Sequence, residues 1–459
     1  MENLQQIDAR VEGYVLKRLQ RMNRLVSETS RDPRNPQGVR HLFTDVVTAL
    51  LAGLMSGRRS LRDVEKLSAR LGLGRHGAGI SDGALSHVLE LCDEHHFDAM
   101  VIRTVKDMNR RGELSHPGLG QHWASIDGKY SCLDHHCGGL GQKFLSDDAV
   151  YWRAGVLRAV LISAPSRPAL GQWAMGPVET SETNPEKVKH TGEITNLPHL
   201  VGALRDGYGD LVSNFVLDAG LWSKDVFLSM DDQGFGLVCG LKKNKPDLFA
   251  EVERVLKIER QRQPPQAETD WESYRNGWIR RRIWRTTALD GWNGWTHLRQ
   301  AVVVEQTTRE RGADGQPTGK EAAELRYFIT NTTTGMVNPR QMLALIRQHW
   351  SIENDCNWTF DLQFAEDDGA WCTTNKAMFA LGVLRMVAYN MLQHLRKAHV
   401  QVIAKSGKAT PRPWRDLYET VHARLLALGT GLRALLRGTA LRQPNSRRAP
   451  NASWRPAAA

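Results

Sequence analysis

Three acidic residues stand where side-chain types and spacing could do chemistry. Asp127 closes an apolar run in Ser125-Ile126-Asp127-Gly128-Lys129, and Asp218 closes another in Val216-Leu217-Asp218-Ala219-Gly220. If both runs are strands of one sheet, neighbouring strand ends direct the two side chains into one crevice. Two carboxylates held that close repel unless a cation neutralises them. Hard divalent cations take oxygen ligands, so Mg²⁺ or Mn²⁺ is the natural counter-charge. The third acid, Glu353, lies in a stretch with helical spacing. At about 100° per residue, Ile346, His349, Glu353, Asn357, Phe360 and Phe364 share one face. Its apolar members mark that face as buried, and Glu353 is the only acid in the stripe. A buried carboxylate is costly unless paired or bound to metal. Taken singly, an Asp at a strand end is commonly a turn or cap residue, and a helical Glu is commonly solvated. The three together, with their apolar flanks, are more specific.

The elements that must position these acids follow from periodicity. Residues 123–130, 149–163 and 170–180 have strand character, 197–208 is helical, 214–217 is a fully apolar fourth strand, 223–232 is helical and 235–241 is a fifth strand. Three strands, helix, strand, helix, strand is the running order of a ribonuclease-H-like α/β domain. The expected architecture is therefore a ribonuclease-H-like core with a β-rich insertion, plus an N-terminal helical domain. Residues 1–37 form a polar segment ending in a Pro-rich loop. Residues 38–115 are helical, with Ser60 and Asp63 opening one helix and Ser81-Asp82 opening a long one that stops near Gly112. They could be a DNA-binding unit or a plain bundle. Residues 121–244 hold the first part of the core and 245–338 the insertion. Residues 339–398 complete the core, with the Glu353 helix opened by Asn338-Pro339 and a buried helix at 371–398. Residues 399–459 form a basic tail, partly disordered, with a helical stretch at 417–436.

The block His349-Trp350-Ser351-Ile352-Glu353-Asn354-Asp355-Cys356-Asn357-Trp358-Thr359-Phe360-Asp361-Leu362-Gln363-Phe364-Ala365-Glu366-Asp367 resembles that of bacterial insertion-sequence DDE transposases, in the branch whose signature is H-W-x-I-E-N-x-x-H-W-x-L-D-x-x-F-x-E-D. Asp127-Gly128-Lys129, Asp218-Ala219 and Leu241-Lys242-Lys243-Asn244-Lys245 are similar to that family's other blocks, in the same order. The resemblance covers roughly residues 40–400. It implies that Asp127, Asp218 and Glu353 are a triad holding two Mg²⁺ (or Mn²⁺) ions, and that residues 245–338 fill the family's β-rich insertion. It also implies a DNA transposase, acting on element ends and target DNA, in which two metals drive strand hydrolysis and then transfer of the freed 3′-OH. A homodimer in the DNA complex is expected, and a location in the bacterial cytoplasm. The chain departs from the family at Asn357, where His is usual, at Phe360, where Leu is usual, and at Ile346 and His349, where the wider group has Tyr and Arg. Arg347 is a candidate substitute for phosphate contact, although it points about 120° away from Glu353 on a regular helix. The alternative reading is a transposase-derived regulator that binds DNA without catalysis.

Other signals concern DNA. The insertion interleaves Trp271, Trp278, Trp284, Trp292 and Trp295 with Arg275, Arg280, Arg281, Arg282 and Arg285. Such a pattern suits base stacking beside phosphate contacts, with Arg280–Arg282, Trp278, Trp292 and Asn357 as candidate DNA contacts; the competing reading is a small tryptophan core. The formal net charge is +11, and from Arg396 onward there are 13 Lys/Arg against 2 Asp/Glu, so the first 395 residues are neutral. That excess in the tail points to an anionic polymer. No run approaches the roughly 20 apolar residues that a membrane crossing needs, and the N-terminus lacks a signal-peptide pattern. Six cysteines are few, as in a reducing compartment. The cluster Cys132–Cys137 fits no standard zinc spacing, and Gly138-Gly139-Leu140-Gly141 lacks the Gly-Lys-Ser/Thr of a phosphate loop.

Overall fold

The computed structural model describes residues 4–93, 95–115, 118–133, 142–146, 149–175, 192–274, 277–312, 315–367, 371–372, 374–398, 400–402 and 409–436. The segment 1–37, expected to be merely polar, forms helix α1 (Leu4–Thr29). Val11, Val15, Leu19, Met22 and Val26 recur every three or four residues and are buried. Such a sparse stripe is enough to bury one face of an otherwise charged helix. Helices α2 (Phe43–Met55) and α3 (Leu61–Arg70) follow, the latter capped by Ser60, whose side chain accepts from the Asp63 amide. The expected long helix from Asp82 is two, α4 (Asp82–Leu91) and α5 (Asp98–Arg110). Cys92 turns extended at φ −73°, ψ 141° and separates them.

The core sheet starts with β1 (Ala124–Leu133), β2 (Gln142–Ser146), β3 (Ala149–Leu161) and β4 (Ala169–Met175). Helix α6 (Glu193–Tyr208) leads to β5 (Asn214–Leu217), and α7 (Lys224–Asp232) to β6 (Gly236–Leu241). Strand β3 is antiparallel to both β1 and β4, whereas β1, β5 and β6 run parallel. The spatial order is β4-β3-β1-β5-β6, with β2 pairing the start of β3. Every residue of β5 and β6 is buried, as parallel strands covered on both faces require. Alternation divides the core in two: Phe215 and Leu217 pack under α6 and α7, whereas Val216 packs with the helical bundle on the other face.

The insertion opens with an unexpected helix, α8 (Pro246–Arg262), started by Pro246 at its first turn. Strands β7 (Ala267–Glu268), β8 (Glu272–Tyr274), β9 (Gly277–Thr286), β10 (Gln300–Arg311) and β11 (Pro317–Thr330) follow. Because β11 pairs antiparallel with β6, the insertion extends the core sheet, giving one mixed sheet of 11 strands.

Asn338 and Gln341 then form a capping box with Pro339 at the first turn, opening α9 (Pro339–His349). A π-helical turn (Ile352–Asn357) leads into α10 (Trp358–Phe364), and α11 (Asn375–Ala398) is buried almost throughout, packed against α2, α4, α5 and β4. A two-stranded ribbon, β12 (Val400–Val402) and β13 (Ala409–Pro411), precedes α12 (Trp414–Leu428) and α13 (Leu432–Leu436). These last helices are no loose tail. Both pack on α1, and Arg433 forms an ion pair of 2.7 Å with the buried Asp45 of α2. The two ends of the chain thus share one bundle. Residues 134–141, covering most of the Cys132–Cys137 cluster and the Gly-rich run, lie outside the described residues, as do 176–180 of the third expected strand and 437–459 of the tail. Among the described residues no helix is long and apolar enough to cross a membrane.

Candidate active site

The parallel pairing of β1 with β5 ends at Ser125–Val216 and Ile126–Leu217. The next residue on each chain is an acid, Asp127 and Asp218, on strands about 4.8 Å apart. One detail differs from expectation. Strand β1 does not end near Asp127 but runs on to Leu133, paired only with β3, so Asp127 sits in mid-strand where β5 departs. Asp218 does end its strand, and the Leu221 amide donates back to the Asp218 carbonyl to close the turn. Lys242, just past β6, lies 3.3 Å from the Asp218 carboxylate.

Glu353 is not in the buried stripe. The π turn winds more slowly than 3.6 residues per turn, so Ile352, Cys356 and Asn357 take the buried positions and Glu353 comes to the surface. It still belongs to the group electrostatically. Burial, then the charges of Glu353 and Glu193, and more weakly Asp218, push the Asp127 carboxyl up to about 7. Partial burial and then Asp218 raise Glu353 as well, against the Lys242 charge.

Glu193, a fourth acid, escaped sequence reasoning. It is the first residue of α6, and burial and Asp218 push its carboxyl up. A Cβ at Gly128 would lie 1.9 Å from Glu193 Oε1, so a larger residue after Asp127 would push this carboxylate from its present position. The glycine of Asp-Gly-Lys was the one available signal. Among the described residues no three His, Cys, Asp or Glu side chains are gathered tightly enough to form a metal cage as they stand. The donor set, carboxylate oxygens, suits a hard divalent cation.

A buried network holds Asp127. Its register partner on β3 is Arg158, which is wholly inaccessible. Arg158 forms a double hydrogen bond with Glu366 at 2.7 and 3.0 Å and lies 4.2 Å over the Phe360 ring. It also donates to Asn357 Oδ1 at 3.1 Å, and Asn357 Nδ2 donates to Asp127 Oδ2 at 3.2 Å. A guanidinium only donates, so the amide facing it presents oxygen and its NH₂ is turned to Asp127. Asn357, expected to touch DNA, is therefore buried and committed to Asp127. Burial alone would raise the Glu366 carboxyl, but Arg158 outweighs it and holds it below its ordinary value. His349 is buried beside the site, with Nδ1 2.7 Å from Ser125 Oγ. Burial pushes its imidazole down to about 4, although Asp218 pulls the other way, so it is neutral near pH 7.

Beside Glu353 opens a cleft of about 570 Å³ between α9 and the insertion sheet. Arg281, Arg326, Arg347, Tyr274 and Trp350 line it together with Glu353. Arg347, which a regular helix would turn away from Glu353, thus shares its cleft. Arg281 and Arg347 both pair with Glu272, at 3.5 and 2.6 Å, and Arg326 lies 5.2 Å over Trp350. Of the three consecutive arginines only Arg281 faces this cleft, because side chains on a strand alternate. Arg280 stacks 4.9 Å over Trp271, and Arg282 pairs with Glu305. Trp278 donates to the Gly315 carbonyl, and Trp292 packs on the core under α7 and α8. Trp284 and Trp295 are buried core residues. Arg280, Arg282, Trp278 and Trp292 are therefore not brought to the acids. What was missed is the role of Trp350, Arg326 and Tyr274, which only the fold sets opposite Arg281.

The fold and site define an α/β protein with an acidic centre at a strand seam and a basic, aromatic cleft beside it. No protein-family model matches the chain, and no curated protein matches it.

Proposed function

We propose that this chain is a DNA transposase with a ribonuclease-H-like core, cutting and rejoining phosphodiesters at the ends of an insertion sequence. The observation that carries the reading is the meeting of Asp127 and Asp218 at the end of the β1–β5 pairing, with Glu353 close enough to raise Asp127. The strand order β4-β3-β1-β5-β6, with β5 and β6 parallel to β1, supports the ribonuclease-H-like assignment. Asp127, Asp218 and Glu353 would hold two Mg²⁺ or Mn²⁺ ions, and Glu193 stands within reach of the same group. Such ions, when bound, supply water activation and charge neutralisation for an in-line displacement. Asn357 holds one Asp127 oxygen, and the Gly128 amide also donates to this carboxylate. Arg281, Arg326 and Arg347 offer donors to phosphates, and Trp350 and Tyr274 offer faces to bases. A dimer on DNA in a bacterial cytoplasm fits this reading.

The second reading, a DNA-binding regulator without catalysis, draws on one feature: the Lys242 ammonium already occupies one side of Asp218. One assay separates the two. Purified chain is incubated with Mg²⁺ or Mn²⁺ and duplexes taken from the DNA on either side of its gene. Strand cleavage is expected, and Asp127→Asn should abolish it while DNA binding persists. Cleavage retained by Asp127→Asn overturns the assigned site, and binding without cleavage by the unaltered chain favours the regulator.

A further inference from the structure

Far from the acidic centre in sequence, α1 and α5 carry a second concentration of charge. Asp107 of α5 has a side chain only 1% exposed, yet four guanidiniums converge on it: Arg18 at 3.1 Å, Arg21 at 2.6 Å, Arg103 at 3.4 Å, and Arg110. One carboxylate neutralises one of them. The other three positive charges remain in a single patch, where like charges repel. Burial lowers the Arg21 pKa, and the charges of Arg103, Arg110 and Arg18 lower it further, against the pull of Asp107. Lys17 and Arg24 lie one turn to either side of Arg21 on α1, and with Arg21 and Arg103 they line a depression of about 340 Å³. Glu28 is the only acid lining it. Among the described residues Lys17 and Arg24 have no carboxylate within ion-pair distance. A merely solvated basic face would spread its cations apart. Here a buried aspartate holds Arg21 and Arg103, whose side chains stay 37% and 44% exposed, beside Lys17 and Arg24 in the same depression.

Anchored guanidiniums lose little side-chain entropy on binding, and their forked donors match phosphate oxygens. The row also has a length. From Lys17 to Arg24 it covers about 10 Å of helix axis at ~1.5 Å per residue, long enough to face more than one phosphate of a backbone. A single free phosphate would not need such a row.

We propose that the α1–α5 face formed by Lys17, Arg21, Arg24 and Arg103 is a binding site for the phosphate backbone of duplex DNA, with Arg21 and Arg103 held in place by Asp107. The choice of DNA as the polyanion rests on the function proposed above, but the site lies apart from the acidic triad and needs no metal.

The test uses the full chain, a fluorescent random-sequence duplex of about 30 base pairs, and EDTA throughout. Binding is followed by anisotropy over a salt series. Lys17→Gln/Arg24→Gln/Arg103→Gln leaves Arg18, Arg21 and Arg110 on Asp107. It should weaken binding at least ~10-fold at low salt and make the log–log salt slope less negative by up to about 2.7, since each lost phosphate contact removes ~0.9. A control, Arg254→Gln/Lys257→Gln/Arg262→Gln on α8, removes equal charge elsewhere. An unchanged slope in the first variant, or equal losses in both, overturns the site. Should the first variant melt early, the exposed single change Arg24→Gln is read instead, with a slope change of about 1 expected and none overturning. Failure of the unaltered chain to bind the duplex removes DNA as the partner and sinks both this site and the function it rests on. Unaltered binding with an unchanged slope sinks this site alone.

Discussion

Asp127 gathers the site's electrostatics into one side chain, and that gives the site a pH signature. Its carboxyl is pushed from 3.8 up to about 7, first by burial and then by Glu353 and Glu193. A carboxyl whose folded-state pKa lies above its unfolded value binds its proton more tightly when folded. Its favourable contribution is therefore present below pH ~4 and is lost as pH rises through about 7. Without divalent metal, the unaltered chain should lose melting temperature from pH 5 to pH 8 more steeply than Asp127→Asn, which carries no titrating group there. Mg²⁺ or Mn²⁺ should recover the difference at pH 8 in the unaltered chain only. Identical pH profiles for the two proteins, measured by calorimetry, would remove the clustered charge from the account. At this scale Asp127 and Asp218 were legible in the sequence, because each directly follows an apolar run that had to lie in a buried strand. Glu193 was not, because only tertiary packing sets it against Gly128, 65 positions earlier.

The π turn decides how the Glu353 helix presents its residues. A regular 3.6-residue winding puts Glu353 in the buried stripe with Ile346 and Phe360, and that is how the sequence pattern reads. The real segment holds one turn of wider winding at Ile352–Asn357, which no apolar periodicity announces. It moves Glu353 outward and leaves Asn357 buried against Arg158 and Asp127. A π turn is one residue more than the α-helix needs, so removing one exposed residue from it should restore α winding while α9 and α10 keep their phase. Deletion of Asn354 is expected to leave the fold and melting temperature within a few degrees of the unaltered chain. Glu353 would turn back toward the buried side, and metal-dependent cleavage should fall by at least ~100-fold, as for loss of a positioned catalytic group. Full activity in this variant would mean that the turn has no part in placing the glutamate. The insertion shows the same limit of pattern reading. Counting Arg280, Arg281 and Arg282 as one basic patch ignores that a strand sends neighbours to opposite faces, and only Arg281 reaches the cleft.

Charge counted along the chain gives the C-terminal region a single character, yet residues 414–436 fold into the bundle. Sequence alone reads residues 399–459 as a basic tail with one helical stretch, since 11 of its residues are Lys or Arg. What the count misses is the amphipathic spacing of Trp414, Leu417, Val421 and Leu425, all buried, by which α12 closes the bundle begun by α1 and α2. Arg433 belongs to that bundle too, bound to Asp45. At roughly 1.5–3 kcal/mol per buried large side chain, those four residues contribute on the order of 6–12 kcal/mol, comparable with the whole stability of a typical domain, ~5–15 kcal/mol. Two truncations should therefore behave differently. A chain ending at Lys397 should lose the cooperative melt of the bundle and expose apolar surface to a dye, so weakened DNA binding in it would say nothing about charge. A chain ending at Leu436 keeps every helix described here and discards five arginines, at 437, 442, 447, 448 and 455. It should melt within a few degrees of the full chain and bind duplex DNA with a log–log salt slope less negative by up to ~4, at 0.9 per released phosphate contact. If its slope matches that of the full chain, those arginines make no backbone contacts, and the basic surfaces left to hold DNA are the α1–α5 face and the cleft beside Glu353.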